Sequence, residues 1–116
     1  MRFETEQFFK KKQLVAVQHL LIIGKEEIGY ISVDVTNKCR YKNYISVAEI
    51  FKRKNRGKGY GKMMYEHALK YHGSLATRYH NISEPAQRVW KSLVGKYYHQ
   101  LDFFENTIEI YNKINS

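Results

Sequence analysis

Seven consecutive residues, Arg56-Gly57-Lys58-Gly59-Tyr60-Gly61-Lys62, set three glycines among three cations just before the sequence turns helical. Glycine lets successive backbone N–H groups turn into a concavity, and a helix start adds a partial charge of about +0.5, so the combination suits a bound phosphate. The helix is expected from Tyr60 to His72. Tyr60, Met63, Met64, Ala68 and Tyr71 share one face, Lys62, Glu66 and Lys70 line the other at i, i+4 spacing, and Gly73 stands where a C-cap should. A Walker loop needs glycine at 56 and Ser or Thr at 63, where this chain has Arg56 and Met63. A dinucleotide fingerprint from Gly57 needs glycine at 62, which is Lys62.

Glu49 is the carboxylate nearest upstream. Alternation over Tyr44 to Phe51 puts it on one strand face with Ile45, Val47 and Phe51, where desolvation would raise its pKa and suit it to general base work. Cys39 is the single cysteine, which excludes an intramolecular disulfide; with no activating base near it in sequence, it reads as a plain thiol. The five histidines, His19, His67, His72, His80 and His99, lack metal-ligand spacing, so no metal site is expected.

The positioning elements follow from period and punctuation. Leu14 to Ile23 and Glu27 to Val35 form a hairpin about Gly24-Lys25-Glu26, and Tyr44 to Phe51 is the third strand. After the glycine loop and its helix, Leu75 to His80 is a fourth strand. Ser83-Glu84-Pro85 opens a second helix, striped by Ala86, Val89, Trp90, Leu93 and Val94 and stopped by Gly95. Tyr97 to Phe104 and Thr107 to Tyr111 form a closing hairpin turning near Glu105-Asn106, while residues 1–13 carry no assignment. The order β-β-β-α-β-α-β-β makes an α/β fold with a mixed, mostly antiparallel sheet flanked by helices.

Residues 1–116 are expected to form a single domain, with 43% hydrophobic and 15% aromatic residues for its core. No apolar run approaches the ~20 residues that span a bilayer, and acidic residues occupy the place of a signal segment. A cytoplasmic protein with no membrane partner is expected. The formal charge of +9 points to an anionic partner such as nucleic acid, a nucleotide cofactor or an acidic protein.

Arg-x-x-Gly-x-Gly between strand and helix, here Arg56, Gly59 and Gly61, resembles the coenzyme A pyrophosphate loop of the GNAT N-acetyltransferase superfamily. The order of elements and the Ala86, Trp90, Gly95 spacing in the second helix carry the resemblance over about residues 14–111. It implies acetyl-CoA as co-substrate and an amine acceptor, a protein among the candidates. The amides of Gly57, Lys58, Gly59, Tyr60, Gly61 and Lys62 would hold the pyrophosphate, with added charge from Arg56, Lys58 and Lys62. Backbone near Phe51 would pair with the pantetheine arm, and Glu49 would be the base. Members often draw the leaving-group proton from a tyrosine on the second helix. Trp90 stands there in this chain, which turns attention to Tyr98, Tyr97 and Tyr79.

Members also carry a strand and two helices before the central hairpin. Only about thirteen residues precede Leu14, so an open acceptor groove or a homodimeric site is expected. Two alternatives stay open: a GNAT-like fold that binds acyl-CoA or a protein without turnover, and a nucleic-acid-binding module gripping phosphates through Lys52 to Arg56.

Overall fold

The computed structural model describes residues 1–37 and 40–115, so Cys39 lies outside the described residues. Seven strands and two helices build one sheet domain. They are β1 (Arg2–Lys10), β2 (Gln13–Ile23), β3 (Glu26–Asp34), β4 (Tyr44–Ile50), α1 (Tyr60–His72), β5 (Ser74–Arg78), α2 (Glu84–Lys96), β6 (Tyr97–Asp102) and β7 (Thr107–Ile114). The sheet order is β1-β2-β3-β4-β5-β7-β6, antiparallel throughout except where β4 meets β5. Among the described residues no helix is long and apolar enough to cross a membrane.

The crossovers β4-α1-β5 and β5-α2-β6 step across the sheet in the same direction. Right-handed connections therefore put both helices on one face. There Met64, Tyr65, Ala68, Leu69, Trp90 and Leu93 pack on Leu21, Ile31, Val33, Ile45, Leu75 and Ile110 as a single core. Among the described residues no helix covers the other sheet face.

The chain order differs from expectation by one strand. Residues 2–10 form the edge strand β1, which escaped the pattern because Phe3 alone is turned partly inward and the adjacent Phe8 and Phe9 break alternation. β1 passes to β2 through Lys11-Lys12, both at positive φ (51° and 65°), a primed hairpin turn without its usual glycine or asparagine. Gly95 does not stop α2, which runs on to Lys96 and closes with the Tyr97 N–H on the Leu93 carbonyl. The fourth predicted strand is shorter, because Tyr79–Asn81 winds into a 3-10 turn.

Two irregularities shape β4. The register pairs Val33 with Ile45 and Ser32 with Val47, so Ser46 bulges and the alternation flips there. Parallel pairing with β5 is limited to Tyr44 and Ala76, reinforced by Ala76 N–H to Asn43 O (2.9 Å). Beyond that contact the two strands part.

Candidate functional site

Where β4 ends, the Phe51 N–H donates to Ile28 O at 3.0 Å, and Arg53–Asn55 turns as a 3-10 segment. Gly57 and Gly59 follow at φ 76° and 83°, a left-handed backbone that L side chains rarely adopt; an added Cβ would meet nothing within 4 Å at either, so conformation and not space demands glycine there. Gly59 is the N-cap of α1, and the first helical bond runs from Met63 N–H to its carbonyl (3.2 Å). The amides of Tyr60, Gly61 and Lys62 therefore have no partner inside the helix. With no side-chain cap and no acid in the first turn, the positive end of the helix dipole is uncompensated.

The cations near this end divide into two sets. Lys52 and Lys54 reach Glu26 Oε2 at 3.5 and 3.4 Å, and buried Asn55 donates to the same oxygen at 3.2 Å. Lys52 and Lys54 are thus drawn to a carboxylate, while among the described residues Arg56, Lys58 and Lys62 form no ion pair. Arg56 and Lys58 are exposed and Lys62 is half-buried at the start of α1.

Glu49 occupies the face that no helix covers. The bulge at Ser46 separates it from Ile45, which is 7% exposed in the core, and leaves it with Val47 (42%) and Phe51 (41%). Glu49 is itself exposed, so the expected desolvation is missing. Its cross-strand neighbour Tyr30 stacks on Phe51, ring centroids 5.7 Å apart. The Phe51 amide is committed to β3; by strand alternation, the backbone edge open toward β5 belongs to Ala48 and Ile50. Gly29, opposite Ile50, permits this close approach, since a Cβ there would collide with the Glu49 carbonyl oxygen.

The tyrosines separate clearly. Tyr98 lies at the start of β6, the far edge strand, with Lys113 Nζ 4.9 Å from its ring centroid. β4, β5 and β6 run parallel, so the structure puts Tyr98 at the opposite end of the sheet from Glu49 and three strand positions away. Tyr97 is buried and donates to Glu66 Oε2 (2.5 Å); burial first, then Glu66, pushes its hydroxyl pKa up. Tyr79, half-buried after β5 with its N–H on Asn106 O (3.0 Å), is the one of the three at the loop end. Trp90 is fully buried, edge-on to Tyr65 at 5.7 Å, and serves the core.

Sequence reasoning missed one cluster. His19 Nε2 lies 2.9 Å from His72 Nε2, and His19 Nδ1 lies 3.1 Å from Thr5 Oγ1. His67 stacks on Phe3 with centroids 3.8 Å apart, and its Nε2 is buried without a hydrogen bond. Burial first, then the neighbouring imidazole, lowers His19 and His72 to about 4, while burial and then Lys70 lower His67. Among the described residues no group of three His, Cys, Asp or Glu could hold a metal ion. The available signal was His19 at an inward position between Val17 and Leu21.

A broad polar cleft, lined by Gln13, Thr36, Asn37, Lys42, Asn43 and His72 among others, opens at the far end of the sheet. It has neither glycine amides nor a helix start, so the candidate site stays with the glycine loop. No protein-family model matches the chain, and no curated protein matches it.

Proposed function

We propose that this chain is an acetyl-CoA-dependent N-acyltransferase of the GNAT type, moving an acetyl group to an amine. One observation carries the reading: uncapped first-turn amides follow two left-handed glycines just beyond the end of β4 that has no pairing with β5. The amides of Gly57 to Lys62 would hold the pyrophosphate, and Arg56, Lys58 and Lys62 would neutralise its charge. The open backbone edge of Ala48 and Ile50 would receive the pantetheine arm. Cytoplasmic location and the absence of a membrane partner belong to the same proposal.

An exposed lysine acceptor is mostly protonated, and freeing its lone pair at pH 7 costs about 4 to 5 kcal/mol. Glu49 takes that proton, directly or through water. The amine nitrogen then bonds to the thioester carbonyl, the C–S bond breaks, and the departing thiolate takes a proton from Tyr79, which replaces Tyr98 as the tyrosine at the right end and is reprotonated by the second proton that the nitrogen sheds. β1 and β2 are joined by two turn residues and no helix, so no helix between them walls the acceptor side. That openness suits a protein acceptor.

Exposed Glu49 and remote Tyr98 favour a second reading, in which the loop binds acyl-CoA without turnover. Calorimetry with acetyl-CoA, followed by free-thiol release over a panel of amines and proteins, decides. Binding with thiol release supports the enzyme, and binding without release supports the second reading. No binding of acetyl-CoA overturns both, and steeply salt-dependent binding to DNA or RNA in its place would make the basic loop a nucleic-acid contact.

A further inference from the structure

We infer that Glu26, through the side chain of Asn55, is a positioning residue that holds the glycine loop in its anion-binding shape. What the loop binds rests on the reading proposed above; how the loop is held does not.

Asn55 is 5% exposed in a stretch, residues 51–59, that is otherwise exposed. A buried side-chain amide needs a partner, and its Nδ2 finds Glu26 Oε2 at 3.2 Å, 29 residues away. Its backbone N–H closes on Lys52 O (3.0 Å) and the next, Arg56 N–H, on Arg53 O (3.1 Å), so side chain and turn are tied down together. Glu26 is itself fixed: it opens β3 and pairs with Ile23 across the hairpin turn. The Asn55 hydrogen bond is the first cause holding the Glu26 carboxyl below its usual range, ahead of the two lysines.

The arrangement has two consequences. Two left-handed glycines in three residues make a loop that is costly to order, and a clasp that orders it beforehand removes part of that cost from binding. Glu26 also draws Lys52 and Lys54 to itself, while among the described residues Arg56, Lys58 and Lys62, which flank the first amides of α1 in sequence, form no ion pair. Charge and geometry can be separated, because glutamine at 26 keeps an acceptor for Asn55 and removes the attraction for the lysines.

The test uses the full chain and three variants: Asn55→Ala, Glu26→Ala and Glu26→Gln. Without coenzyme, hydrogen exchange at the amides of Asn55 and Arg56 should speed up about tenfold in both alanine variants and stay near wild type in Glu26→Gln. With acetyl-CoA, Kd should rise about tenfold in both alanine variants, stay within about threefold in Glu26→Gln, and leave the turnover of saturated protein within about twofold. Unchanged exchange in both alanine variants overturns the clasp, whatever acetyl-CoA does. Faster exchange with unchanged Kd overturns the positioning role. Faster exchange in the alanine variants, with a wild-type chain that never binds acetyl-CoA, leaves the clasp standing and removes only the coenzyme reading. If Asn55→Ala fails to fold, the two variants of half-buried Glu26 carry the same comparison.

Discussion

The two ends of α1 handle charge in opposite ways. At Gly59 the helix start has no side-chain cap and no acid in its first turn, and among the described residues the exposed Arg56 and Lys58 and the half-buried Lys62 form no ion pair, an arrangement suited to negative charge. At His72 the helix C-terminus would ordinarily favour a protonated histidine, yet burial and a second imidazole hold His72 and His19 neutral down to about 4. Desolvation outweighs the dipole because the dipole effect is a few tenths to about 1 kcal/mol in the last turn, while a fall from 6.5 to about 4 is worth about 3 kcal/mol. A solvated site can be built from local backbone; a buried one is governed by what its neighbours exclude.

The sharpest way to break this contrast is Gly59→Asp. It adds a carboxylate among the free amides and strains the left-handed backbone by about 1 kcal/mol, with nothing within 4 Å for the new Cβ to strike. Acetyl-CoA affinity should fall more than about a hundredfold by calorimetry, roughly 3 kcal/mol, with the fold retained by circular dichroism. Unaltered affinity would mean that this end does not receive the pyrophosphate. Next in size, Glu49→Gln should keep binding and lower turnover about a hundredfold, most visibly near neutral pH, in the thiol-release assay.

At the other end the expected signal is pH-dependent stability. The folded pKa of His19, about 4, lies below the unfolded value of 6.5, so the unfolded chain binds more protons between them and stability falls as pH drops through that window. Urea unfolding should show a loss of about 2 kcal/mol from His19 between pH 7 and pH 5, with His72 adding a loss of the same sign, and His19→Leu with His72→Leu should flatten the curve. A slope that survives the double substitution would assign it to other groups. The smallest effect concerns β1, which brings Thr5 and Phe3 to the cluster through the strained Lys11-Lys12 turn. Asn-Gly at these positions should stabilise the chain by about 0.5 to 1 kcal/mol in thermal unfolding.

Much of the loop end was legible because its features are contiguous. Tyr60 to His72 emerges with the bounds that its period and Gly73 indicated, and Ser83 caps α2 by accepting from Ala86 N–H (3.3 Å). The misreadings share a cause. Ile45 and Glu49 look like one face until a single bulged residue flips the pleat, and Gly95 looks like a stop although the helix carries one residue past it. Tyr98, Tyr97 and Tyr79 look alike as proton donors along the sequence; strand order sends Tyr98 to the far edge. Lys52 and Lys54 are exposed as well as drawn to Glu26, a partner that only the hairpin turn brings beside them.

By itself the sequence determined the local pieces: the two helices, the central hairpin, and a glycine loop with cations between a strand and a helix. These depend on φ preferences, periodicity and caps within a few residues of one another. Only the tertiary structure decided which carboxylate would be buried or exposed, which cations would be paired, and that His19 would meet His72 across 53 residues. Burial and pairing are properties of neighbours brought together by strand order, register and one bulge, and a side chain's chemistry follows from the solvent those neighbours admit or exclude.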